Sequence, residues 1–113
     1  MTLAAFALAA AFSILLWWVS ALFRPRFEGR ERVVMQWSLT GKPNSWASPK
    51  VALALTPTVG TLTLVAIAGF VAFATPGEDR AEALLVMVPM GALLLAIHAG
   101  HMWFAARVPS AGE

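Results

Sequence analysis

The sequence predicts an all-α membrane protein with three transmembrane helices and an interfacial loop between helices one and two. Three observations carry that expectation. The chain is 59% hydrophobic and only 12% charged, with mean hydropathy +0.74, where a soluble domain is about 45–50% apolar and about 25% charged. Three long stretches are free or nearly free of charge. The basic residues are also lopsided, six of the eight lysines and arginines falling between Arg24 and Lys50. This composition excludes a conventional soluble domain, a disordered chain and a nucleic-acid-binding protein. In a membrane chain a pI near 10 reports topology rather than a nucleic-acid partner. The length of 113 residues allows one domain, a single three-span unit over 1–113. With no cysteine, disulfides, zinc–thiolate sites, iron–sulfur clusters and thiol catalysis are all excluded.

The first span runs from about residue 2 to 23 without a charge. At ~1.5 Å per residue it reaches roughly 33 Å, enough for a hydrocarbon core of ~30 Å. No Lys or Arg precedes it and it is too long for a signal-peptide core, so it is expected to be retained. The loop from Arg24 to Lys50 follows, with Pro25 expected just beyond the helix end. Glu28 and Arg32, four apart, are expected to pair on a short interfacial helix. Val33 to Trp37 reads as extended, and Thr40 to Asn44 as a turn cluster. Trp37 and Trp46 suit the headgroup level.

The second span covers about 51–75 and the third about 82–106. Between them Pro76 and Gly77 stop one helix, while Glu78, Asp79 and Glu82 complement the dipole of the next. These two helices must form an antiparallel hairpin. Pro57 and Pro89 each remove a helix hydrogen bond; Thr56, Thr58, Thr61 and Thr63 surround the first and offer hydroxyls to freed carbonyls. The tail after Arg107 is expected to fray.

Charge sets the expected orientation. The first linker carries Arg24, Arg26, Arg30, Arg32, Lys42 and Lys50 against Glu28 and Glu31, and the second carries one Arg against two acids. The positive-inside rule then puts the first linker and the C-terminus in the cytoplasm and the N-terminus outside; the expected setting is the bacterial inner membrane, as a multi-pass protein. Trp17, Trp18 and Trp103 fall toward the same interface as one aromatic belt.

The stretch from Val34 to Lys50, followed by a helix with Pro57 in its first turns, resembles the domain of unknown function in SdpI-type immunity membrane proteins. The residues that carry the resemblance are Gln36, Trp37, Gly41, Asn44, Trp46, Ser48 and Lys50. It covers about 17 residues of motif, and the three-helix layout extends it over most of the chain. Two departures stand out: Gln36 replaces a frequent histidine, and the opening proline is absent. Members with a basic N-terminus place this loop outside the cell, where the charges here favour the inside. The resemblance implies a membrane-embedded protein linked to toxin immunity and signalling, and carries over no catalytic residue.

His98 and His101 are the only histidines and share a face of the third helix with Gly91, Leu94 and Ala105. His98 lies roughly 13 Å inside the end at Arg107, a depth at which an ionisable group is a functional hypothesis. Neutral imidazole ligates haem iron or chlorophyll magnesium; the bland reading is a hydrogen bond within a bundle. No cofactor is expected, with a tetrapyrrole on His98 or His101 as the alternative. Ala92, Ala96 and Gly100 form a stripe of small residues on another face, as do Ala5 and Ala9 on the first helix. Such stripes let helices approach closely in lipid, within the unit or onto a partner. No acidic residue lies inside a span beyond Glu82 at the start of the third, and there is no phosphate-binding loop and no carboxylate cluster for a metal, so no enzyme is expected. The leading functional expectation is a non-catalytic accessory or scaffold subunit on a larger membrane protein complex, in contact with lipid. An Sdp-like immunity or toxin-sensing protein is the second reading, and a His-ligated haem or chlorophyll-binding subunit the third.

Overall fold

The computed structural model describes residues 2–37 and 43–107; Gly41, Lys42 and the tail after Arg107 lie outside them. Three long helices account for most of the chain: α1 (Thr2–Phe27), α2 (Pro49–Phe73) and α3 (Arg80–Arg107). Two short strands, β1 (Val33–Trp37) and β2 (Pro43–Ala47), join α1 to α2, and a 3₁₀ turn over Gly77–Asp79 leads into α3. Each helix is long and apolar enough to cross a membrane, so the chain is a three-span membrane protein. The spans match the expected ones to within a few residues at most ends.

α1 is longer than expected. Pro25 sits inside it, and the helix runs on to Phe27. Proline forfeits only one backbone bond, and near a helix end at the membrane surface water replaces it. The stop is set at Gly29, whose φ of 81° is a left-handed conformation that glycine adopts without a Cβ clash. Glu28 and Arg32 therefore flank a turn and extended chain, not the short interfacial helix expected for them.

The extended stretch Val33–Trp37 is a strand, and it pairs antiparallel with Pro43–Ala47, a second strand the turn-rich composition had concealed. Partners include Val33 with Ala47 and Val34 with Trp46, and irregular register follows at Gln36 and Trp37. The first linker is thus a folded hairpin rather than an open loop. α2 begins with Ser48 as N-cap, its Oγ accepting from the Val51 amide at 3.3 Å, and Pro49 at the first helical position.

Packing centres on α1, which makes more extensive contact with α2 and with α3 than these two make with each other. Two apolar clusters hold the bundle. Ala5, Ala9, Leu16, Leu64, Ala68, Val71 and Met87 lie toward the end remote from the hairpin. Phe27, Val33, Val34, Ala52, Met102 and Ala105 join the hairpin to the helix ends. In lipid, helix association rests on close packing rather than on the hydrophobic effect. Glycines supply the space: a methyl at Gly91 would overlap the Phe12 ring, and one at Gly60 would lie 2.7 Å from Leu16 Cδ1.

Candidate functional site

The polar contacts inside the bundle begin with Pro57. Within an α-helix the carbonyl of residue 53 accepts from the amide of residue 57. Proline has no amide proton, so Leu53 C=O is left without its helical donor. The donor arrives from α1: Ser20 Oγ–H donates to Leu53 O at 2.5 Å. The neighbouring threonines, expected to fill this role, do not; Thr63 Oγ1 donates instead to Val59 O, at 2.8 Å.

Ser20 Oγ also lies 2.8 Å from His98 Nε2. A serine hydroxyl carries one proton and two lone pairs. Its proton is committed to Leu53, so Ser20 accepts and His98 Nε2–H donates. In the neutral imidazole this is the Nε2–H tautomer, with the lone pair on Nδ1. His98 is fully buried, and its Nδ1 has no partner, as is also true of Ser13 Oγ and Thr61 Oγ1. One contact chain therefore joins all three helices, from His98 on α3 through Ser20 on α1 to the carbonyl freed by Pro57 on α2.

Ser20 and His98 have the spacing of a nucleophile–base pair, but the direction of the hydrogen bond is opposite to what such a pair needs. The imidazole donates rather than accepts, and no carboxylate orients Nδ1. The arrangement acts as an interhelical lock.

His101, one turn on and half-buried, ties α3 to the hairpin: its Nε2–H donates to Val34 O at 3.0 Å. Arg30 closes the same junction. Its guanidinium donates to Ala105 O at 3.0 Å and Ala106 O at 2.7 Å, satisfying carbonyls that the end of α3 leaves open. The guanidinium also stands 5.5 Å from the centre of the Phe27 ring. Ser20 and Arg30 were not singled out by sequence reasoning. A proline four residues beyond a lone carbonyl was the available signal for Ser20.

The small-residue positions divide. Ala5 and Ala9 are buried against the core. Ala92 and Ala96 are exposed, and a methyl added at Gly100 meets nothing within 4 Å. α3 is the least enclosed span, 17% buried against 28% for each of the others. Gln36 and Trp37 lie on β1, Asn44 and Trp46 on β2, Ser48 caps α2, and Lys50 falls in its first turn. Trp17, Trp18 and Trp103 all point outward at the hairpin end. Trp103 is covered by the Arg107 guanidinium at 3.7 Å.

Among the described residues no group of three or more His, Cys, Asp or Glu is arranged to hold a metal ion. No protein-family model, curated protein or solved structure matches the chain.

Proposed function

We propose that this small integral membrane protein is a non-catalytic accessory or scaffold subunit, packed through the outer face of α3 against a larger membrane protein. The observation that carries the reading is the open stripe of Ala92, Ala96 and Gly100 on the least enclosed helix. Small residues at this spacing allow a second helix to approach closely, and none is used within the chain. The buried polar groups support a structural role, because Ser20, His98 and His101 are engaged in holding helices and hairpin together. The reading includes no tetrapyrrole, and both imidazole Nε2 atoms already hydrogen-bond within the chain. The basic first linker supports a cytoplasmic hairpin and an outward N-terminus.

Purification in mild detergent tests this reading. Wild-type chain should bring down a membrane protein in fixed ratio. Gly100→Leu should lose it while keeping its own thermal midpoint, since the site is empty within the chain. Loss of neither, or of both, contradicts the reading.

A second reading, an Sdp-like immunity or toxin-sensing protein, is favoured by the folding of the motif residues into a hairpin pinned by His101 and Arg30. It requires the hairpin outside the cell. A cysteine at Ser45 that labels with an impermeant reagent in intact cells, when one at Gly77 does not, would select it over the first.

A further inference from the structure

At the hairpin end a groove of about 450 Å³ opens between α1 and α2. Trp17, Ser20 and Arg24 line it from α1, and Lys50, Leu53 and Ala54 from α2. The lining is ordered along the membrane normal. Arg24 and Lys50 stand where the spans meet the linker, and Trp17 lies two helical turns deeper, roughly 10 Å at ~1.5 Å per residue. Leu53 and Ala54 extend the apolar wall opposite.

Among the described residues, the cations of this groove are not neutralised. No acidic residue lines it, and among the described residues neither Arg24 nor Lys50 has a carboxylate partner, although Glu28 follows Arg24 by one turn. Lys50 occupies the first turn of α2, which holds no acidic residue. A cation there opposes the helix dipole, so the charge adds to the positive potential of the helix start instead of balancing it.

We infer that the groove binds one anionic phospholipid, its phosphate between Arg24 and Lys50 and the start of an acyl chain along Trp17, Leu53 and Ala54. Charge complementarity selects an anionic headgroup over a zwitterionic one. The stacking of cations above an apolar wall selects a lipid over a free anion. The bound chain covers Ser20 and Leu53 from the membrane side and shields their hydrogen bond from water. The inference is independent of any protein partner on α3, which lies on another part of the surface.

Native mass spectrometry of the full chain, released from micelles carrying equal phosphatidylglycerol and phosphatidylcholine, tests it. One phosphatidylglycerol per chain is expected to be retained in preference to phosphatidylcholine. Arg24→Gln with Lys50→Gln should reduce that preference about 30-fold, the equivalent of two cations at ~1 kcal/mol each. Ala54→Trp, which fills the groove and leaves both charges in place, should also lose the lipid, and it decides the matter alone if the double variant does not fold. Equal retention of the two lipids overturns the inference. So does undiminished retention in Ala54→Trp, or displacement of the lipid by millimolar inorganic phosphate, which would make the site one for free anions.

Discussion

Replacing Ser20 by alanine removes both hydrogen bonds of the lock at once. Interhelical hydrogen bonds in a bilayer average ~0.6 kcal/mol and reach about 1.7, so two place the cost at roughly 1–3 kcal/mol. The two orphaned groups differ. Leu53 is half-buried beside the groove, so its carbonyl is only partly enclosed. His98 is fully enclosed, so its Nε2–H loses its partner outright. Pro57 supplies the control. In a Pro57→Ala background residue 57 regains an amide, Leu53 C=O recovers its helical donor, and Ser20→Ala then loses only the bond to His98. The substitution is expected to cost about half as much there, a coupling on the order of 0.6–1 kcal/mol. Unfolding of the four chains by titration of a denaturing detergent into mild micelles measures the cycle. An equal cost of Ser20→Ala in both backgrounds refutes the link between Ser20 and the proline-freed carbonyl. No cost in either refutes the lock.

Gly91→Ala should destabilise by about 1–3 kcal/mol, because its methyl overlaps the Phe12 ring and α1 must shift; Gly100→Ala, with open space around it, should be neutral or stabilising by up to ~1 kcal/mol in the same unfolding assay. Arg30→Gln should cost about 1 kcal/mol and speed amide exchange over the last turn of α3, through loss of the guanidinium bonds to Ala105 and Ala106; unchanged exchange there would mean the cap is idle. His101→Ala should speed exchange in β1 while the transmembrane amides stay protected, since its bond to Val34 is confined to the hairpin junction. The purified protein should show no Soret or chlorophyll band, and a band abolished by His98→Ala or His101→Ala would restore the cofactor reading.

The spans were legible because charge-free runs of this length have one stable solution in lipid, and the stop and start at Pro76, Gly77 and Glu82 were written in turn and dipole chemistry. That His98, Gly91 and Ala105 share a face followed from helical spacing, and the assembled bundle buries that face. What the sequence withheld depends on which helices touch. Pro57 announces a freed carbonyl at Leu53, yet only the packing of α1 on α2 shows that Ser20 answers it. The outward direction of Ala92 and Ala96, against the burial of the similar Ala5 and Ala9, is likewise a property of the assembled bundle. Strand β2 was missed because Pro43, Asn44 and Ser45 favour turns in isolation; pairing with β1 overrides that preference.

The proposed role turns on what the open face of α3 meets in its native membrane. A photo-crosslinking residue at position 96 measures this directly, with one at exposed Leu62 on α2 as the reference surface. The account predicts a discrete, heavier protein adduct from position 96 that Gly100→Leu abolishes, and none from position 62. Lipid adducts alone from position 96, or the same protein adduct from both positions, would contradict it.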